Sequence, residues 1–241
     1  MAADPEIPLE RRAEEIRRMF AGVAGRYDLL NRLLSASLDR VWRRRAAAAL
    51  ALPPGARALD LCSGTGDQAV ALRQRGVEVA AADFCLPMLA RSRGKFARQA
   101  PPRPRAFAAD ALRLPWRDAS FDGAVVSFGL RNVADLDRAL GELARVVRPG
   151  GRLAVLEFAL PRRQPLRGLY LFYFRRLLPA IGRWVSRHGS AYTYLPASVS
   201  DFPQRGAFLE RLDAAGFDQL SWRDLTGGIL CLYLARRRPV P

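Results

Sequence analysis

At 241 residues and 50% hydrophobic content, the chain can bury one full core, and it shows no internal repeat or low-complexity tract of a fibrous or disordered protein. Its formal charge of +16 rests on arginine, since Lys95 is the sole lysine; such a field attracts anionic partners (nucleic acid, membrane surface, anionic substrate) or belongs to a solvated arginine-rich surface. One histidine, His188, and three widely spaced cysteines, Cys62, Cys85 and Cys231, argue against a His-based metal centre, a serine-type triad, a zinc site and a disulfide framework, so no metal is expected.

The first residues, MAADPEIPLERRAEEIRRMF, are charged throughout and hold no signal-peptide apolar region. The longest aromatic-aliphatic run, GLYLFYF (168–174), falls well short of the ~20 apolar residues that span a bilayer. A cytoplasmic chain is expected, with association to a membrane surface left open. Residues 10–50 read as two or three helices: Leu29, Leu30, Leu33 and Leu34 recur at helical spacing, and RVWRRRAAAALAL is rich in helix formers. Ser37 or Asp39 is placed to cap the last of these. Pro53, Pro54 and Gly55 then stop it, dividing a helical cap (1–54) from a core (55–241).

Within the core, short apolar runs at 57–61, 77–82, 105–108, 123–127 and 152–158 alternate with helical stretches at 66–75, 86–97 and 135–147. Strand and helix at this spacing give βαβ units and a parallel sheet. Arg148-Pro149-Gly150-Gly151 reads as a stop after the third of those helices. The last segment, FDQLSWRDLTGGILCLYLARR, reads as an antiparallel hairpin around Gly227 and Gly228. The fold class is therefore α/β: a doubly wound, mostly parallel sheet with a hairpin edge and an N-terminal helical cap. An insert at 159–202 breaks the alternation. No Asp or Glu occurs from Ala159 to Ser200, where Arg162, Arg163, Arg167, Arg175, Arg176, Arg183 and Arg187 interleave with Tyr170, Phe172, Tyr173, Phe174 and Trp184. Leu166, Tyr170, Tyr173 and Leu177 share a helical face, and Pro179 is expected to divide the insert into two helices. That mixture suits an anionic lipid surface, or an ordinary cap whose aromatics pack on the sheet.

The chemistry lies in ALDLCSGTGDQAV (58–70), a strand that ends in a glycine turn and continues as helix. A phosphate-binding loop needs Lys and Ser/Thr after its last glycine, and Asp67 and Gln68 stand there instead. Asp60 before the loop and Asp67 after it disfavour a pyrophosphate and suit a ligand that carries an ammonium and a sulfonium. Asp83 ends the second strand, where a carboxylate holds two ribose hydroxyls. Asp110, followed by Ala111, is placed to meet an adenine amino group. A phosphate-free cationic nucleoside, S-adenosylmethionine, fits all four acids; helix capping is the bland alternative.

LDLCSGTGD, AADFCLPML, ADALRLPWRDASFDGAVVSFGLRNV and LARVVRPGGRLAVLEF resemble the successive motifs of class I (Rossmann-like) methyltransferases. SFGLRNV (127–133), LEFALP (156–161), AYTYLPASVSDFP (191–203) and LTGGI (225–229), with RYDLLN and RVWRR (26–44), resemble more narrowly the ubiquinone/menaquinone biosynthesis C-methyltransferase family, from about Phe20 to Ala235. The resemblance implies methyl transfer to a ring carbon of a polyprenylated quinol, with the menaquinone branch favoured over the ubiquinone branch. It implies that Thr65, Asp83, Asp110, Ala111 and Ser127 contact S-adenosylmethionine, beside Asp60, with Gly64 and Gly66 allowing close backbone approach. On the acceptor side, Arg131 is read as stabilising the phenolate or holding a water, against a structural salt bridge. Asn132 orients a quinol oxygen or closes a turn, and Tyr192 and Tyr194 line the ring pocket or the core. Relatives often carry Gly and His where Ser37 and Asp39 stand, so Asp39 is either a base or a helix cap. A polyprenyl tail implies peripheral contact with an anionic membrane. Nucleic acid is not the expected partner, since no RNA-binding module accompanies the core. A non-catalytic scaffold stays open because of the altered SASLDR stretch, and so does a homodimer.

Overall fold

The computed structural model describes residues 9–172, 176 and 190–239. Three helices come first: α1 (Leu9–Val23), α2 (Tyr27–Leu34) and α3 (Leu38–Leu50). Alternation follows through β1 (Arg57–Leu61), α4 (Asp67–Arg73), β2 (Glu78–Asp83), α5 (Leu86–Ala97), β3 (Arg105–Ala108), β4 (Phe121–Ser127), α6 (Leu136–Val146) and β5 (Val147–Phe158). The remaining elements are α7 (Leu166–Phe172), α8 (Ser190–Asp201), α9 (Gly206–Ala214), β6 (Phe217–Leu225) and β7 (Leu230–Arg237).

The strands form one sheet in the order β3-β2-β1-β4-β5-β7-β6. β1 is parallel to both β2 and β4, with Leu59 opposite Ala80 on one side and Ala124 on the other. Its residues Ala58, Leu59, Asp60 and Leu61 are all buried, as a parallel strand covered on both faces requires. On one face lie Leu140 and Leu143 of α6 with Phe208 and Leu212 of α9; on the other lie Trp42, Ala46, Ala47 and Leu50 of α3 with Leu72 of α4. Each such leucine contributes about 1.5–3 kcal/mol by leaving water. The third N-terminal helix is thus built into a face of the sheet. Asp135, whose carboxylate accepts from the Arg138 amide at 3.0 Å, starts α6.

One expectation needs correcting. Arg148–Gly151 does not stop the chain between elements, because β5 begins directly at Val147. A register shift between Phe121 and Gly123 absorbs the extra residues, so the segment joins the strand as a bulge. The C-terminal strands pair antiparallel around Gly227 and Gly228 and form the expected hairpin edge, with β7 between β5 and β6, antiparallel to both, and β6 outermost.

The strand order reverses between β1 and β4. Such sheets bind ligands in the crevice that opens beyond the carboxyl ends of the strands at that point. α2 and α3 close this crevice from one side. Trp42 of α3 donates its indole N–H to Thr226 Oγ1 at 2.9 Å, tying the N-terminal helices to the turn before β7.

Candidate active site

A cleft of about 90 Å³ lies at the switch point, walled by the turns that follow β1, β2, β3 and β4. Gly64, Thr65, Asp83, Asp110, Ala111, Ser127 and Asn132 all line it. Gly64 has φ +55°, and its amide donates to Asp83 Oδ2 at 2.8 Å. The Cys85 amide donates to Asp83 Oδ1 at 2.8 Å. Each carboxylate oxygen keeps a further lone pair, which leaves Asp83 able to accept two hydroxyls. Burial pushes the Asp83 carboxyl above the usual range, against these amide bonds. Asp110 Oδ1 accepts from the Leu112 amide at 2.9 Å and presents its acid at the β3 end of the cleft.

Other assigned residues sit around the cleft. Asp60 lies behind the loop, 1% exposed, and neither carboxylate oxygen meets a full hydrogen-bond partner. Burial pushes it up to about 8, against the opposing pull of Arg43 and the Ala69 amide. Gly66 does not face the cleft: at φ +83°, a Cβ there would come within 2.6 Å of the Phe96 ring, so its role is the close seating of the loop on α5. The loop's other acid, Asp67, is neutralised by Lys95 at 2.5 Å rather than presented to a ligand.

Lys95 also pairs with Asp28 of α2 at 2.8 Å, and the Thr65 hydroxyl donates to Asp28 at 2.6 Å while accepting from Lys95 at 3.0 Å. Burial raises the Asp28 carboxyl, but the Lys95 and Thr65 bonds outweigh it and hold the group below the usual carboxylate range. This cluster, which sequence reading missed, straps α2 across the glycine loop. The sole lysine of the chain was its one available signal. Ser127 Oγ donates to Gln68 Oε1 at 2.9 Å, and Gln68 Nε2 donates to the Arg43 carbonyl at 3.3 Å.

A second, larger cavity of about 540 Å³ adjoins the cleft and shares Phe20, Tyr27, Arg43 and Phe128 with it. Its walls are chiefly apolar and come from α1, α2, α3, α7, α8 and the turn before β7, including Leu30, Leu34, Trp42, Phe158, Leu195 and Ile229. Asp39, Arg131 and Tyr194 line it as well. Asp39 is no helix cap, contrary to the expectation, and neither is the side chain of Ser37. Ser37 is the left-handed residue before α3 and makes no side-chain cap bond, whereas Asp39 lies inside the helix, 5% exposed, and accepts from Ser35 Oγ at 3.1 Å.

Arg131 Nη1 bonds Glu157 Oε2 at 2.9 Å and the Phe128 carbonyl at 2.6 Å, with its guanidinium 5.4 Å from the Phe158 ring centre. Glu157, 1% exposed, is pushed upward by burial and pulled back by Arg131. Both readings of Arg131 therefore have a geometric basis: it forms a buried ion pair and it borders the apolar cavity. Asn132 borders the cleft rather than the apolar cavity and donates from Nδ2 to the Phe128 carbonyl at 3.2 Å, since successive side chains of the one-turn 3₁₀ helix Leu130–Asn132 point about a third of a turn apart. Tyr192 lies on α8, and its side chain falls outside the described residues; so do Tyr173, Phe174, Arg175, Leu177, Pro179, Arg183, Trp184, Arg187 and His188.

The cleft fits S-adenosylmethionine on its own chemistry. Asp83 can take a ribose diol, Asp110 an adenine amine, and the Asp60 carboxyl is buried behind the loop, where a cationic ligand would favour its ionised form. Among the described residues no group of three His, Cys, Asp or Glu could hold a metal ion, and no helix is long and apolar enough to cross a membrane.

Comparison with known proteins gives the same assignment. The ubiE/COQ5 methyltransferase family model matches residues 9–237. A demethylmenaquinone methyltransferase of Parafrankia sp. (strain EAN1pec) is 43% identical over 95% of this chain and 96% of its own. One from Mycobacterium sp. (strain KMS) is 44% identical over 96% of this chain and 97% of its own. Among solved structures, the [4+2]-cyclase SpnF superposes with a TM-score of 0.70 at 19% identity, covering 95% of this chain and 97% of that one. A SAM-dependent methyltransferase from Aquifex aeolicus gives 0.64 at 15% identity, covering 90% and 97%. The chain belongs to the ubiE/COQ5 methyltransferase family and is an S-adenosylmethionine-dependent methyltransferase of class I fold.

Proposed function

We propose that this enzyme methylates a ring carbon of a polyprenylated naphthoquinol, converting demethylmenaquinol to menaquinol. The observation that carries the reading is the apolar cavity that adjoins the cofactor cleft and shares a wall with it, holding the Asp39 carboxylate and the guanidiniums of Arg43 and Arg131 among aromatic and aliphatic side chains. The names of relatives that are 43% and 44% identical over nearly the whole chain support the naphthoquinol.

A quinol ring carbon becomes nucleophilic when the neighbouring hydroxyl loses its proton and charge moves onto the ortho position. When bound, S-adenosylmethionine supplies an electrophilic sulfonium methyl group. Asp39 accepts the hydroxyl proton; Ser35 Oγ holds one of its oxygens, leaving the other for the quinol. Arg131 adds positive potential beside the developing phenolate, while Glu157 keeps the buried pair neutral in the absence of substrate. The aromatic and aliphatic walls exclude water and fix the ring against Phe128, so that orientation supplies much of the rate.

The prenyl tail leaves through the mouth of the same cavity. Leu38 and Leu169 line the cavity yet remain 41% and 66% exposed, and Leu29, Leu33 and Phe172 on α2 and α7 are exposed too. These side chains and the acid-free arginine-rich insert support docking on an anionic membrane.

The test is methyl transfer from labelled S-adenosylmethionine to demethylmenaquinol and, in parallel, to a demethylated benzoquinol. Label on the naphthoquinol alone is expected. Label on neither, with cofactor binding intact, refutes the reading, and label on the benzoquinol alone moves the enzyme to the ubiquinone branch. Leu33→Ser, on the exposed face of α2 outside the cavity lining, should weaken co-sedimentation with anionic vesicles while leaving turnover of a short-chain quinol in solution unchanged.

A further inference from the structure

Helix α2 is eight residues long, and its inward stripe is Tyr27, Leu30, Asn31 and Leu34, spaced i, i+3, i+4 and i+7; all four line the apolar cavity. Leu29 and Leu33 face the other way and are each 63% exposed. Asn31 therefore occupies a position where the helix requires an apolar side chain, and asparagine is a weaker helix former than leucine. The protein does not resolve this conflict internally. Asn31 is half-buried, and its side-chain amide has no hydrogen-bond partner among the described residues. A polar residue that breaks the local pattern without a compensating bond marks a functional position.

Its place in the cavity identifies the task. The Asn31 carbonyl accepts the Ser35 amide at 2.9 Å, so the two residues stand one helical turn apart on the same face, about 5–6 Å between Cβ atoms. Ser35 Oγ in turn donates to Asp39 Oδ1 at 3.1 Å. A ring hydroxyl at the other Asp39 oxygen is thereby brought beside the Asn31 amide. The neighbouring polar groups are already engaged: Ser35 gives its proton to Asp39, Thr226 accepts the Trp42 indole, and Arg131 binds Glu157 and the Phe128 carbonyl. As the ring hydroxyl loses its proton, its oxygen gains negative charge, and a donor aimed at that oxygen stabilises the charge where it develops.

We infer that Asn31 is a catalytic residue of the acceptor site, its side-chain N–H donating to the ring oxygen whose proton passes to Asp39. The bond strengthens as the oxygen becomes a phenolate, so it serves the transition state more than the bound quinol. The inference rests on the quinol reading of the apolar cavity and is independent of how the cofactor is held.

Asn31→Leu tests it, because the two side chains are similar in size and leucine suits the stripe. Denaturant unfolding should show a stability equal to or above that of the wild type, with S-adenosylhomocysteine affinity unchanged. With a short-chain demethylmenaquinol, kcat should fall roughly 100-fold while KM changes little. Asn31→Asp removes both N–H donors, keeps the shape and covers the case in which Asn31→Leu does not fold; it should lose at least as much. Asn31→Gln should restore part of the turnover. Full turnover in the Asn31→Leu and Asn31→Asp enzymes overturns the assignment. So does a loss of stability that accounts for the lost turnover, which makes Asn31 structural. A second readout needs no turnover: the affinity ratio of a nitronaphthol ionised at neutral pH to unsubstituted naphthol should fall about tenfold in Asn31→Leu. An unchanged ratio overturns the assignment as well. If the wild type methylates no quinol, the quinol reading fails, and this ratio still decides whether Asn31 faces a ring oxygen.

Discussion

The cofactor cleft and the apolar cavity share four residues and are built in opposite ways. The cleft is made of turns at the carboxyl ends of adjacent parallel strands, and its two acids are locked by backbone amides, Asp83 by Gly64 and Cys85 and Asp110 by Leu112. The cavity is made of helices brought from both ends of the chain, and side chains help hold its charged groups, Asp39 by Ser35 and Arg131 by Glu157 beside the Phe128 carbonyl. Sheet registry fixes the first to within the tolerance of strand pairing. The second depends on how α1, α2, α3, α7 and α8 pack, so it can differ among enzymes that share the sheet. This division suits a fold in which one cofactor serves many acceptors.

Substitutions can separate the two halves. The largest effect is expected for Arg131→Ala, which strands Glu157 as an uncompensated buried carboxylate and should cost about 3–5 kcal/mol of folding stability. Denaturant unfolding measures it. Adding Glu157→Gln should recover most of the stability, whereas turnover should stay low if Arg131 also serves the phenolate. Next, Asp83→Ala removes the acceptor for two amides and for the ribose. It should weaken S-adenosylhomocysteine binding roughly 100-fold, with the affinity of a naphthol analogue unchanged. A parallel loss of naphthol affinity would show that the two halves are not independent.

Trp42→Phe deletes the indole bond to Thr226 and should cost about 1 kcal/mol. It should raise KM for the quinol more than it alters cofactor affinity, because that bond ties α3 to the far wall of the cavity alone. The smallest effect concerns protons. Burial, opposed by Arg43, raises Asp60 to about 8 in the ligand-free protein, far above its unfolded value. The folded state then holds that proton more tightly than the unfolded state. Asp60 therefore adds stability that is fully present near pH 4 and is lost as pH rises through about 8. A cationic ligand favours the carboxylate, so cofactor binding at pH 7 should release a fraction of a proton. Binding enthalpies in two buffers of different ionisation heat measure the release, and Asp60→Asn should abolish it.

The same division explains what the sequence could and could not reveal. Asp60, Gly64, Asp83, Asp110 and Ser127 occur at or just past strand ends, so periodicity locates them and their residue types indicate a nucleoside. The acceptor cavity has no such grammar. Trp42, Leu30, Phe158, Leu195 and Ile229 look like ordinary core residues, and only packing reveals that they surround a void. For Asp39 only the cap alternative fails, for a related reason: local sequence makes an acid near a helix start look like a cap, whereas the left-handed Ser37 places the helix boundary earlier and Asp39 lies buried within the helix. Arg43 and Lys95 were hidden by composition. One arginine among many carries no mark of burial, and a lone lysine acquires meaning only when Asp28 and Asp67 are seen to converge on it.

The most direct test of the two-cavity account is a crystal structure of the enzyme with S-adenosylhomocysteine and a short-chain naphthol bound together. The account predicts the nucleoside between Asp83 and Asp110, and the naphthol ring against Phe128 with its hydroxyl at Asp39. A naphthol ring found outside the apolar cavity, or a nucleoside found within it, would contradict the account.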